Sequence, residues 1–208
     1  MKNEKFAPAR KPRADAERNR ERLLAVAKPI LEAKGSSASF EEIARAASFG
    51  IGTLYRHFPT RDALVEAVYR NETELLAAAA SRLAATHAPV DALREWMLLF
   101  VEYLATKREM SGALGSLAAG TSQLFATSTE LITGAILLLT DRAQASGDIH
   151  LTVQPIDLLI ALAGLAHAGI GTGWKERARQ LVDVLIAGLR TVPRTVPRTP
   201  AAKRRRHA

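Results

Sequence analysis

The stretch SFEEIARAASFGIGTLYRHFPTRD, residues 39–62, reads as two short helices joined by a tight turn. Ser39 with Glu42 three positions on has the spacing of a capping box, in which the serine satisfies orphan N–H groups and the glutamate reaches back to the cap. Phe40, Ile43, Ala44 and Ala47 then recur at helical spacing as one apolar stripe. Ser48-Phe49-Gly50 interrupts it, and Gly50 is the residue expected to take a positive φ. Ile51, Leu54 and Phe58 form a second stripe, expected to turn inward, and Pro59 ends that helix because it pushes Phe58 towards extended geometry. Gly52, Thr53 and Arg56 are left facing out, with Tyr55 and His57 on the flanks. Small residues let a backbone approach a groove closely, while hydroxyl, guanidinium and imidazole groups donate to phosphates and base edges. A helix of about seven residues is roughly 11 Å long and fits a major groove roughly 12 Å wide. On periodicity alone, a helical hairpin with a solvated polar face fits equally well.

The residues themselves are more specific than their spacing. Residues 50–64, GIGTLYRHFPTRDAL, closely resemble the DNA-binding signature of the tetracycline-repressor (TetR) family, and the likeness extends over about residues 16–70. The resemblance implies an all-α fold of about nine helices, with an N-terminal three-helix helix-turn-helix domain followed by a helical ligand-binding and dimerisation domain. It also implies a homodimeric transcription regulator, most often a repressor, whose partners are a double-stranded DNA operator and a small-molecule effector. The residues assigned to DNA are Ser39, Arg45, Gly50, Gly52, Thr53, Tyr55, Arg56, His57 and Arg61. By resemblance, the helix start at Arg61 holds a phosphate, in keeping with the affinity of helix N-termini for anions. An ordinary cap is the alternative there and at Ser39. Ser48 departs from the family, which often has glycine in this turn; a left-handed serine stores on the order of 1 kcal/mol of strain.

Charge is spread in a way that agrees with this reading. The chain of 208 residues carries +8, but unevenly. Residues 1–62 hold 13 basic and 8 acidic side chains, residues 63–190 hold 10 and 13, and residues 191–208 hold 6 and none. Basic ends around an acidic middle suggest polyanion contact through the termini. There is no cysteine, which rules out disulfides and thiolate metal sites. No apolar segment follows Met1 as a secretory signal would require. The longest apolar run, residues 156–170, is short for a membrane span and contains Asp157 and His167, so a soluble cytoplasmic protein with no membrane partner is expected.

Four regions follow from the chain order: a disordered basic arm over 1–13, the DNA-binding domain over 14–62, an effector-binding and dimerisation domain over 63–190, and a disordered basic tail over 191–208. Lys2, Lys5, Arg10, Lys11 and Arg13 of the arm suit phosphates or a minor groove, and 203–206 add nonspecific affinity; solubilising tails are the alternative for both. Leu23, Val26, Ala27, Ile30 and Leu31 mark a helix stopped by Gly35, with a bend expected around residues 25–29 because Pro29 removes a backbone hydrogen bond. Thr60 caps the next helix. Helices are expected over about 62–86, 90–106, 109–118, 122–146, 155–171 and 175–190, with Pro89 and Pro155 at starts where proline is welcome.

In the second domain, Trp96, Phe100 and Tyr103 share a helix face. With Met110, Phe125 and His167 they are the expected lining of an effector cavity, which the resemblance implies. Plain core is the competing reading of such a stripe. Residues 96–108 also resemble the start of a regulatory domain found in one branch of the family. Leu158, Leu162, Leu165, Leu181, Val184, Leu185 and Leu189 are more apolar than two helices packed on one side require, and with the small-residue face of Ala161, Gly164 and Ala168 they are expected to form an isologous dimer interface.

Enzymatic readings lack a carrier. There is no phosphate-binding loop, nucleophile elbow or zinc helix, and Gly50-x-Gly52 follows a helix rather than a strand. The five histidines are scattered singly, so no catalytic residue, metal or cofactor is expected. An architectural DNA-binding protein without an effector is the remaining alternative, and a helical enzyme a more distant one.

Overall fold

Helix-period apolar spacing over nearly the whole chain leaves helices as the way to bury it. The computed structural model describes residues 11–115, 121–168 and 173–190. Residues 1–10 of the expected arm, including Lys2, Lys5 and Arg10, lie outside them, as do the expected tail 191–208 and the ends of two expected helices, 116–118 and 169–171. The described residues form nine α-helices.

Helix α1, Lys11–Lys34, takes in the last three residues of the expected arm, 11–13. Pro12 falls in its first turn, where a missing N–H is harmless. Pro29 lies inside the helix without ending it. Ala25, whose carbonyl loses its partner, and Pro29 are both exposed, so water is at hand to take the bond. Gly35, at φ +51°, stops α1 and opens a single 3-10 turn, Gly35–Ser37. α2, Phe40–Ala46, and α3, Ile51–His57, follow. Leu23, Ala27 and Leu31 of α1 meet Ile43 and Ala44 of α2 and Leu54 of α3 in one core, all essentially buried.

The turn between α2 and α3 differs from the expected one. Gly50 has φ −70° and serves as the N-cap of α3, whereas Ser48 takes the left-handed position at φ +58°. The Ser48 N–H donates to Arg45 O at 3.0 Å and the Phe49 N–H to Ala44 O at 2.9 Å, a Schellman closure that satisfies the last carbonyls of α2. That closure requires positive φ one residue beyond the cap, and the residue there is serine. Only half of the capping box forms. Ser39 Oγ accepts from Glu42 N at 3.1 Å, but the Glu42 carboxylate turns to Lys34 Nζ at 2.7 Å.

Helix α4, Arg61–Thr86, starts at Thr60, whose hydroxyl accepts from Ala63 N at 3.1 Å. Its first residue reaches back: the Arg61 guanidinium donates to Ala38 O and, at 2.5 Å, to Gly35 O. About three turns further on, Glu72 accepts from Lys28 Nζ of α1 at 2.6 Å. Further along, α4 packs most extensively on α7, Thr121–Ala145, and α5, Pro89–Glu109. α6, Ser111–Gly115, α8, Pro155–His167, and α9, Trp174–Leu189, complete the set, with Pro89 and Pro155 opening their helices as expected. α9 is tied to α5 by Arg94–Asp183 at 2.7 Å and by Glu102, which accepts from Lys175 at 3.1 Å and Arg179 at 2.6 Å. Burial alone would raise the Glu102 carboxyl pKa, but the two cations outweigh it and hold it below the ordinary value. Within α7, Gln123–Ala145 is long and apolar enough to cross a membrane by length and composition, yet Ile136, Leu139 and Ala143 are buried against the rest of the chain as in a core helix.

Two stability changes follow. Ser48→Gly removes the left-handed strain and is expected to raise the free energy of unfolding by about 1 kcal/mol, read from urea denaturation. Arg61→Met leaves the carbonyls of Gly35 and Ala38 without their charged donor and is expected to cost about 2 kcal/mol by the same measurement.

Candidate nucleic-acid interface and internal cavity

The core covers only the second turn of α3. Leu54 and Phe58 are buried, but Ile51, on the same stripe, is 38% exposed because α3 begins beyond the reach of α1 and α2. The expectation that Ile51 turns inward is therefore corrected. Gly50, Ile51 and Gly52 form an open edge, and a Cβ added at Gly50 or Gly52 would meet nothing within 4 Å. Tyr55 is 49% exposed, its ring held against Phe40 at 5.1 Å between centroids. Thr53 and His57 are half-buried and Arg56 is exposed. Among the described residues, neither Arg56 nor the exposed Arg45 of α2 pairs with a carboxylate. Ser39 is exposed at the start of α2. Glycine edge, hydroxyl, phenol and unpaired guanidinium groups thus sit on one surface, while Arg61 is turned into the fold as a clasp on two carbonyls.

A second feature lies between α4, α5, α7 and α8. A larger chamber of about 490 Å³ is lined by Leu104, Lys107, Arg108, Phe125 and His167 among others. An adjoining smaller chamber of about 180 Å³ shares Leu104, Lys107, Phe125 and His167, adds Tyr69, Phe100 and Tyr103, and opens to solvent beside the exposed Thr129 and Ile160. Four of the six residues expected at a cavity therefore line one: Phe100, Tyr103, Phe125 and His167. Trp96 and Met110 do not. Both are fully buried, and the Trp96 indole N–H donates to Leu76 O at 2.8 Å as a core residue does. The composition of the chain offered no signal for Tyr69, Lys107 and Arg108, because each reaches the cavity only through the packing of neighbouring helices.

The smaller chamber is bordered by a hydrogen-bonded hydroxyl network. Tyr103 OH donates to Tyr69 OH at 2.7 Å, and Thr73 Oγ1 donates to Tyr69 O at 3.1 Å. Ser128 Oγ donates to Leu124 O at 2.9 Å. Burial, and then the neighbouring Tyr69 hydroxyl, push the Tyr103 hydroxyl pKa well above its ordinary value, so it stays a neutral donor. Lys107 Nζ stands over the rings of Phe125 at 4.9 Å and Tyr69 at 5.9 Å.

The expected dimer surface divides in two. Leu158 and Leu162 are buried inside this chain's own core, because α8 packs that face on α5 and α9; they are not available to a second copy, which corrects their assignment. Leu165, Leu181, Leu185 and Leu189 are half-buried, and Ala161 and Ala168 are exposed. Val184, one of the surplus apolar residues of the sequence reading, is 65% exposed, and Ile160, which that reading did not single out, is 60% exposed.

Comparison with known proteins agrees with the two-part architecture. Residues 23–68 match the family described as bacterial regulatory proteins, tetR family, and residues 88–191 match the SbtR-like transcriptional regulator C-terminal domain. No curated protein matches the chain. Among solved structures, the TetR transcriptional regulator SCO0520 from Streptomyces coelicolor is 37% identical, with 83% of this chain and 99% of that one covered and a TM-score of 0.75. A TetR transcription regulatory protein from Mycobacterium vanbaalenii is 31% identical over 86% of this chain and 99% of its own, with a TM-score of 0.70. SmeT, repressor of a multidrug efflux pump of Stenotrophomonas maltophilia, shares the fold at 18% identity, covering 89% and 96% of the two chains with a TM-score of 0.58. The chain belongs to the TetR family of DNA-binding transcriptional regulators, which are not enzymes.

Proposed function

We propose that the chain is a cytoplasmic, homodimeric repressor that binds a palindromic operator through α3 and leaves it when a small molecule enters the cavity of the C-terminal domain. The observation that carries the DNA reading is the bare edge of α3: Gly50 and Gly52 face open space, with Thr53, Tyr55 and Arg56 beside them. Glycine in a helix is unfavourable by about 1 kcal/mol relative to alanine, and nothing inside this chain needs it at position 52. Close approach to a groove does. Ile51 offers an apolar contact for a thymine methyl, and Arg56, Arg45 and Ser39 offer donors to base edges and phosphates. Arg61 acts in this reading through the turn it holds rather than through a phosphate.

The pairing of two copies rests on α8 and α9. Ile160 and Val184 are exposed beside Ala161, Gly164, Ala187 and Gly188, small residues that let another helix come close. Two recognition helices related by such an axis read half-sites about one DNA turn apart, or a multiple of it. An effector that favours another spacing need only bind it better by a few kcal/mol to release the operator.

Gly52→Ala tests the interface, because it adds only a methyl group in open space. It is expected to leave the unfolding midpoint unchanged or higher while lowering affinity about tenfold or more for an operator selected from genomic fragments. Arg56→Ala is expected to do the same, and unchanged binding by both variants would remove the α3 reading. Sedimentation at micromolar concentration is expected to show a dimer, and Ile160→Glu with Val184→Glu a monomer of unchanged helicity.

A further inference from the structure

We infer that the cavity takes a small amphipathic anion, a carboxylate or similar monoanion on an apolar body, with its charged end at Lys107 and Arg108. This rests on the reading of the C-terminal domain as a sensor and names the chemistry it senses. The two chambers meet at Lys107 and His167, which line both. The smaller one presents Phe100, Tyr103, Phe125 and Ile132 to its contents, and the hydroxyls at its edge are already bonded to one another or to backbone carbonyls. The larger one adds Arg108 to a lining that is otherwise mostly apolar. No carboxylate lines either chamber among the described residues.

The cations at this rim lack counterions. Of the three cationic residues of α5, Arg94 is paired with Asp183 and Glu95, whereas Lys107 and Arg108 have no carboxylate partner among the described residues. Lys107 is half-buried, and its ammonium rests on the faces of Phe125 and Tyr69. Arg108 spends one N–H on Ala166 O at 3.1 Å, which anchors the guanidinium at the mouth while leaving its other donors available. His167 Nδ1 lies 2.8 Å from Ala163 O, which leaves Nε2 as the second ring nitrogen. A cationic body would meet two uncompensated positive charges on entering, and a neutral one would leave them unsatisfied. An anion on an apolar stem satisfies both chambers at once. Lys107 also links the site to α4 through Tyr69, so the charge that enters is felt on the helix that begins at Arg61.

The test uses the full chain and two series of equal body: octanoate, octanol and octylamine, and phenylbutyrate, phenylbutanol and phenylbutylamine, each titrated calorimetrically. In at least one series the carboxylate is expected to bind about tenfold or more tightly than the alcohol, with the amine weakest. Lys107→Met and Arg108→Met together are expected to erase that preference, with the carboxylate losing about tenfold more affinity than the alcohol in a chain that still unfolds cooperatively. Equal binding of carboxylate and alcohol in both series, preference for the amine, no binding by any member, or a preference that survives the double variant would each overturn the inference. Operator release is read separately. Carboxylate binding that leaves the operator bound supports the anion site and overturns the sensor reading, whereas release by the alcohol alone overturns the anion site and keeps the sensor.

Discussion

The N-terminal half of the fold depends on one guanidinium. Arg61 opens α4, yet its side chain points back to the carbonyls of Gly35 and Ala38 in the connection between α1 and α2. Gly35 O takes only a long bond from the Ala38 N–H, at 3.4 Å in the 3-10 turn, and Ala38 O lies between that turn and α2. By donating to both, Arg61 fixes the first turn of α4 to the turn that sets the angle of α2. Lys28 and Glu72 close the same two helices about three turns later. Two clasps thus tie α4 to α1 and to the connection that leads into α2.

The third turn of α4 borders the cavity through Tyr69. Tyr69 and Thr73, one turn apart, join Tyr103 of α5 and Ser128 of α7 in a buried set of hydroxyls. Polar groups in a core are tolerated when each is satisfied, and then they favour one alignment of the helices that carry them over others of similar apolar packing. In the proposed reading, a guest lodged against Tyr69 and Tyr103 acts where the register of α4 is set, about two turns from Arg61. The clasp on the N-terminal helices and the cavity are thus joined by about two turns of one helix.

Much of this was legible because the signals are local. Ser39 and Thr60 as caps, Gly35 as a stop, and Pro89 and Pro155 as first residues each act through the bonds of their own turn, and the helices start and end close to where those residues place them. What escaped was set by neighbours in space. Whether Ser48 or Gly50 takes the left-handed position depends on where α2 closes its last hydrogen bond, which composition does not reveal. Ile51 has the spacing of a core residue, but the core stops one turn short of it. Trp96 and Met110 lie on a face that another helix covers, while Lys107 and Arg108, unremarkable as cations in the last turn of α5, become a rim only once α7 and α8 are in place.

The open edge of α3 has a consequence for how such a protein changes over generations. Positions 50 and 52 touch nothing within the fold, and Arg56 has no partner among the described residues, so substitutions there leave the stability of the chain almost untouched. In the proposed reading of α3, preference for one operator over another drifts or is selected at these sites without passing through misfolded intermediates. The scaffold is insulated from its own vocabulary, and new regulatory targets are reachable by single steps.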